Sequence, residues 1–582
     1  MAEYLPSGSD EDVSATDYPD PLAGNDLDGD NIQTHYVVTS KETETSYDMP
    51  DSETELTEDL SLLQIFLPNY SKKDLIADSS AHIEGENKGL VDKKVNDDSV
   101  KESFLEVFSK YIESLNLLDP LYLKILLEIL SGELTEDQLF VNLPRYYQCK
   151  SSFISPTFSS DNHNTSVHEY INWVSKNKKV KGNCNAVPYG ILPKGLAAEI
   201  TDVKINCYRS DDQMYQSNQV LREKVARGNS FVTFYGKGVT NSGCVVRGLK
   251  KFSGGYWDDD DIQNTDHSGW SRYFISPPTS ATSVVVMEKV NGEAAHVSVR
   301  LLGTKFLIFC GSKNVHLLVT RRQHLLKYEE QRYSYACVVG EAFFDLLEGM
   351  SEFERVRLLL FMSHTGFTAV CELLQPNNQH IVNLSYLSAP VIKFITWVPC
   401  DIGGVNTICS LPPNIAIDLA TYLSLPAAKY SLIQIAELPA ELASVRAYKQ
   451  SEGVVLYFTN SKQEVIGLMK FKSIWYILLR AVREIIKYQM NQISKGKLKS
   501  HQAKINGTES IEKRFKRINK SLNLNRGSYL AWQDICTDFL EWVIDLTKFG
   551  KSISFYSQFP NMWDKFLKEK SLKEPPTLRK SI

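Results

Sequence analysis

The tetrapeptide Lys-x-Asn-Gly occurs twice in this 582-residue chain, and each copy is a place to look for a lysine nucleophile. Such a lysine needs desolvation or neighbouring positive charge to shed its proton, and small residues beside it so that a substrate can approach. Lys289-Val290-Asn291-Gly292 closely follows the apolar run 284–287 and precedes another, which predicts Lys289 at a strand end inside a core. Gly292 permits close backbone approach there. Lys504-Ile505-Asn506-Gly507 lies instead in a polar, basic run with no strand before it. The first copy also has companions of suitable chemistry in order along the chain. Arg247-Gly248-Leu249-Lys250-Lys251-Phe252 stands upstream. Ser312-Lys313, Glu372, Glu452-Gly453-Val454-Val455 and Lys470-Phe471-Lys472 follow. Lys470 and Lys472, two apart on a predicted strand, share one face and can be aimed together at an anion.

This ordered set resembles the covalent nucleotidyltransferase superfamily of nucleic-acid ligases and capping enzymes. It is most similar to phage-type RNA ligases and to the ligase domain of fungal tRNA ligases. Four details favour the RNA-ligase branch: Asn291 rather than Asp, the Arg247-Gly-x-x-Lys-Phe segment, Glu372-Leu373 followed by His380-Ile381-Val382, and Lys470 to Tyr476 opening a helix. The resemblance covers roughly residues 230–480, and Lys504 has no such companions after it.

The resemblance implies that Lys289 attacks the α-phosphate of ATP and forms a lysyl–AMP phosphoramidate. Lys470 and Lys472 would steady that phosphate and help lower the Lys289 pKa by charge repulsion. Glu452 would position Mg²⁺, with Mn²⁺ as a possible substitute. Glu372 would contact the ribose or nucleotide. Asn291 and Gly292 would line the nucleotide site, and Ser312 and Lys313 would help orient the nucleotide or the end being joined. Arg247 and Lys251 would bind the β- and γ-phosphates or RNA phosphates, since guanidinium forks suit phosphate oxygens. The expected activity is ATP-dependent joining of RNA 5′-phosphate and 3′-hydroxyl ends through an adenylylated 5′ end. Two readings stay open beside it. One is a capping-like or protein-modifying nucleotidyltransferase; the other is a degenerate ligase fold that only binds RNA.

Other chemistries find no support. Ten cysteines form no C-x-x-C pair, and eleven histidines form no His/Cys cluster or H-E-x-x-H, so a zinc site or disulfide framework is not expected. The kinase signature G-x-x-x-x-G-K-[ST] is absent, because Gly243…Gly248 is followed by Leu-Lys. A 2H-type phosphodiesterase needs paired His-x-Thr/Ser motifs; His163-Asn164-Thr165 and His296-Val297-Ser298 are rejected because the second falls inside the expected nucleotide site. The chain would thus seal RNA ends that already bear 5′-phosphate and 3′-hydroxyl, or that separate healing enzymes prepare. The aspartates 258–261 read as an exposed acidic loop rather than a metal site.

The elements that must position these residues follow from composition. Net charge is −6, but residues 1–100 hold 24 Asp and Glu against 6 Lys and Arg. That segment reads as a mostly disordered acidic tail with one apolar island at 60–67. Residues 103–130 repeat apolar side chains at helical spacing, in an accessory segment taken as 101–150. From about residue 230 short β-branched runs alternate with helical stretches at 321–348, 353–363 and 436–448. This predicts an α+β domain built on antiparallel sheet, and the resemblance implies that residues 151–480 form a nucleotidyltransferase core, ATP-grasp-like and of the ligase adenylation kind. After Ile474 the chain reads helical to its end, and 481–582 forms a basic C-terminal domain. Residues 487–526 carry eleven Lys and Arg against two Asp and Glu, a surface suited to structured or nicked RNA such as tRNA. The N-terminus lacks a signal peptide, and no apolar run approaches a membrane span, so an intracellular, soluble protein of cytoplasm or nucleus is expected.

Overall fold

The computed structural model describes residues 161–579 except 208–210, 237–238, 255–268, 303–304, 401, 403–406, 548–554 and 556, and it describes Phe66 and Glu128 besides. The expected tail (Phe66 apart), the helical segment 101–150 (Glu128 apart), the His163 side chain and the aspartates 258–261 lie outside the described residues.

The described chain is mixed α/β with antiparallel sheets, followed by C-terminal helices. Its strands are β1 (Val180–Ala186), β2 (Ala197–Ile205), β3 (Asn229–Gly236), β4 (Val239–Arg247), β5 (Ser253–Gly254), β6 (Ser283–Glu288) and β7 (Glu293–Leu302), then β8 (Lys305–Ser312), β9 (His316–Val319), β10 (Thr368–Leu374), β11 (Val391–Val398), β12 (Tyr430–Gln434), β13 (Gly453–Thr459) and β14 (Val465–Lys472). They form three sheets. The first is the antiparallel meander β1-β2-β3-β4, packed against helix α1 (Asp161–Lys176). Short helices α2 (Asp211–Ser217) and α3 (Gln219–Lys224) connect β2 to β3. This meander begins some fifty residues ahead of the point where the sequence signals strands. The pattern of β1 explains why: it is Val-Lys-Gly-Asn-Cys-Asn-Ala, with only Val180 buried, so apolar alternation is missing.

The second sheet, β11-β10-β7-β8-β9, is antiparallel throughout and packs against α4 (Ser334–Glu348), α5 (Glu352–Thr365) and α6 (Pro413–Tyr422). The third, β12-β6-β13-β14-β5, is antiparallel except where β5 joins β14. Strand alternation splits it into two faces. Val285, Met287, Val455, Tyr457 and Leu468 join the large core shared with the second sheet. Val284, Val286, Leu456, Phe458 and Met469 face outward, against Leu438, Leu442 and Val445 of α7 (Leu438–Ala447). Fully burying each such aliphatic or aromatic side chain contributes about 1.5–3 kcal/mol.

The first two sheets are tied by a buried polar cluster. His316 Nδ1 lies 3.0 Å from Asp202 Oδ1 and 2.7 Å from Ser230 Oγ, and His316 Nε2 lies 3.4 Å from His296 Nδ1. His296 therefore belongs to a sheet-to-sheet interlock.

Helices α8 (Ile474–Ser494), α9 (Ser500–Leu522), α10 (Arg526–Thr547) and α11 (Phe559–Glu569) pack around their own apolar cluster. The expectation of helix to the end needs correction: 572–578 has no regular secondary structure and clamps back, with Glu574 accepting from Trp475 Nε1 at 2.9 Å and Trp563 Nε1 at 2.7 Å. Among the described residues no helix is long and apolar enough to cross a membrane.

Candidate active site

Lys289 lies one residue past the end of β6, where the chain crosses from the third sheet to the second. Its backbone N–H donates to Gly453 O at 2.9 Å, which pins it beside the start of β13. Its ammonium Nζ lies 2.8 Å from Glu452 Oε1, with 19% of the lysine side chain and 5% of the glutamate exposed. Gly453 follows with φ +125°, and a Cβ there would fall 2.2 Å from Phe471 O. Only glycine fits this position, which accounts for the Glu-Gly-Val-Val pattern.

Asn291 fills its hydrogen-bonding capacity completely. Its Nδ2 donates to Glu452 Oε2 at 2.7 Å and to Tyr476 Oη at 3.3 Å. Its Oδ1 accepts from Ile381 N at 3.2 Å and Val382 N at 3.1 Å. This explains why His380-Ile381-Val382 accompanies the lysine motif: the segment donates to the motif's asparagine. It also gives a reason for Asn over Asp, since a second carboxylate at this distance from Glu452 would be repelled.

Gly292 N donates to Glu372 Oε1 on β10 at 3.1 Å. A Cβ at Gly292 would come within 2.3 Å of Leu373 O, so the close approach of β7 and β10 depends on glycine. Burial raises the Glu372 carboxyl to about 7, with Lys289 opposing the rise and Glu452 adding to it. Burial also pushes Glu452 up, but the positive charges of Lys289 and Lys472 outweigh it and hold that carboxyl below its ordinary range.

Lys470 and Lys472 project to one side of β14, the side facing the second sheet. Lys472 is buried, with Nζ 5.9 Å from the centre of the Tyr476 ring. Lys470 is half-buried, with Nζ 5.4 Å from the ring centre of Phe252, which the β5–β14 pairing brings alongside. Tyr476 itself was not legible as a site residue. It arrives because Ser473 caps α8, accepting from Tyr476 N at 3.1 Å while donating to Ser451 O at 2.7 Å.

The remaining candidates sit outside this cluster. Lys251 is ion-paired with Asp212, and Lys313 Nζ lies 2.8 Å from Asp211 Oδ2, both on α2. Arg227 approaches the same Asp211 at 3.9 Å. Burial and the Arg227 charge lower Lys313 to about 8, with Asp211 opposing. Ser312 belongs to the β8–β9 turn, where its N–H donates to Val315 O at 2.9 Å and its carbonyl lies 3.3 Å from His296 Nδ1. Arg247 is buried near Tyr170 and Cys244, with its backbone N–H on Thr368 Oγ1 at 2.9 Å and Nη1 without an acceptor among the described residues. Lys504 lies on α9 and pairs with Asp545 Oδ2 at 2.8 Å, a helix–helix contact.

Among the described residues no group of three or more His, Cys, Asp or Glu suits a metal ion. Glu452 has one oxygen on Lys289 and the other on Asn291, so it could serve as a single Mg²⁺ ligand only after releasing Lys289. No curated protein and no solved structure matches the chain. The family model described as "Domain of unknown function (DUF7920)" matches residues 194–483, a stretch that starts just before β2, ends inside α8 and contains every residue of the Lys289 cluster.

Proposed function

We propose that the protein is an ATP-dependent RNA ligase built on a nucleotidyltransferase core. The observation that carries the reading is the convergence of Lys289, Asn291, Glu372, Glu452 and Lys472 from four separate segments onto one strand end between two antiparallel sheets. A surface salt bridge does not bury its carboxylate to 5% exposure, nor order the amide beside it through four hydrogen bonds.

The chemistry proposed is in-line phosphoryl transfer, so positioning and charge neutralisation carry most of it. Lys289 first gives its ammonium proton to water; the neutral Nζ then forms a bond to the α-phosphorus of ATP, the bond to the bridging oxygen breaks, pyrophosphate leaves, and the phosphoramidate nitrogen passes a second proton to water. The Lys289–Glu452 ion pair must open first. Glu452 Oε1, once released by Lys289, would hold Mg²⁺, which would supply charge neutralisation, while Oε2 stays on Asn291. Lys470 and Lys472 face the same side and oppose the charge on the α-phosphate. Asn291 keeps its grip on 381–382 and so holds the strand end still. The AMP then passes to an RNA 5′-phosphate, and an RNA 3′-hydroxyl expels it. The exposed cations Lys513, Lys516, Arg517 and Lys520 of α9 are the proposed RNA-facing charges.

Denaturing mass spectrometry after incubation with ATP and Mg²⁺ tests the first step. The wild-type chain should gain roughly 330 Da, one AMP on a lysine nucleophile, and Lys289→Ala should gain nothing. A GMP adduct would favour the capping-like alternative. No adduct in folded protein stripped of bound nucleotide and pyrophosphate would leave the RNA-binding reading.

A further inference from the structure

Phe66, far from the rest of the described chain in sequence, is buried at 7% exposure on the outer face of the third sheet. Its ring stacks on Phe458 of β13, with centroids 4.5 Å apart and planes at 4°, and on Trp270 at 5.5 Å and 21°. Trp270 meets Phe274 edge-on at 5.1 Å, and Phe274 meets Phe458 at 5.4 Å. Offset-stacked and edge-on pairs of this kind each add stabilisation beyond the area they bury.

The pocket is built for flat aromatic packing. Phe458 pairs with Gly467, and a Cβ on Gly467 would lie 2.3 Å from the Phe274 ring. The register shift beside it turns Ile466 O toward Ile275 N, 2.8 Å away, which fixes Phe274 over the glycine. Trp270 Nε1 is buried with no acceptor among the described residues, a donor ready for a main-chain carbonyl.

We infer that the outer face of the third sheet is a docking site for this chain's own N-terminal apolar motif, with Phe66 as the anchor. The occupant is the segment Leu60-Ser61-Leu62-Leu63-Gln64-Ile65-Phe66-Leu67, the one apolar stretch in the acidic first hundred residues. Its anchor is seated in the pocket within the same chain. The aromatic pocket backs β13 and β14, whose other side bears Lys470 and Lys472. This docking does not depend on the chemistry of Lys289.

Full-length protein with p-benzoylphenylalanine in place of Phe66 tests the contact directly. After irradiation the crosslinked peptides should contain 269–275 or 453–459, with a yield independent of protein concentration. Adducts elsewhere, no adduct, or a yield that rises with concentration would each overturn the proposal. A second measurement reads the vacated site. A labelled peptide of residues 55–72 should bind full-length Phe66→Ala about tenfold or more tighter than wild type, whose site is already occupied. The same peptide carrying the Phe66→Ala change should bind neither. Equal binding to both proteins, or binding that survives the peptide's substitution, would overturn the proposal.

Discussion

Asn291 Nδ2 donates to Glu452 Oε2 across 2.7 Å, joining two positions 161 residues apart in the chain. The hydrogen bond fixes the carboxylate whose other oxygen holds Lys289. It makes the asparagine, rather than the lysine, the mechanical centre of the cluster.

Asn291→Asp should therefore be more disruptive than its shape suggests. The substitution loses the Nδ2 donor to Glu452 and sets two carboxylates against each other. We expect a loss of about 1–3 kcal/mol, the cost of an unsatisfied buried group. The loss should grow as pH rises through the carboxylate range, because both groups then ionise. Urea unfolding at pH 4 and pH 8 measures it, and an equal loss at both values would refute the charge argument.

Gly292→Ala should push β10 away from β7, since the new methyl would overlap Leu373 O. Overpacking of this kind costs about 1–3 kcal/mol. The Gly292–Glu372 hydrogen bond should weaken with it. Thermal unfolding checks the first effect, and the rate of AMP uptake checks the second. A variant as stable and as fast as wild type would show that the strands do not need this close approach.

Two buried groups give the stability opposite slopes with pH. Burial, with the neighbouring His316, lowers His296 to about 3, so the unfolded chain binds its proton first and stability falls as pH drops from about 6.5 toward 3. Glu372 is raised to about 7, so the folded chain holds its proton longer and stability falls as pH rises from about 4.5 to 7. Glu372→Gln removes the second slope. Relative to wild type, that variant should gain stability between pH 4.5 and pH 7 and then level off. Parallel urea-midpoint profiles for the two proteins would count against the raised carboxyl.

Glu452→Gln would leave Lys289 and Lys472 without their shared carboxylate. Breaking a buried ion pair from one side costs about 3–5 kcal/mol. We expect a lower unfolding midpoint together with loss of AMP labelling. Unchanged stability would mean that the pair is solvated and contributes little.

If α9 carries the RNA, neutralising Lys513, Lys516, Arg517 and Lys520 should weaken binding for all sequences alike. The slope of log K against log salt should fall by about 0.7–0.9 for each RNA phosphate that the variant no longer neutralises. Filter binding across a salt series reads this, and an unchanged slope would move the RNA site elsewhere.

What the sequence determined by itself was local. Runs of β-branched and other apolar residues marked β6, β11, β13 and β14 almost to their ends, and β6 and β13 are apolar without a break because both faces of the third sheet meet a core. The placement of Lys289 at a strand end followed from the apolar run before it, and the pairing of Lys470 with Lys472 on one face followed from the period of two along a strand. The polar strand β1 escaped notice for the converse reason. Tertiary structure decided everything that depends on distance in space. It set the carboxylate of Glu452 on Lys289, brought Tyr476 to Asn291 through a helix cap, and gave Lys251 and Lys313 to the aspartates of α2. It also turned Arg247 into the interior and seated Phe66 against Phe458. Side-chain spacing along a strand is fixed by backbone geometry, but which buried charge meets which partner is settled only when separate segments pack and each must satisfy its polar groups.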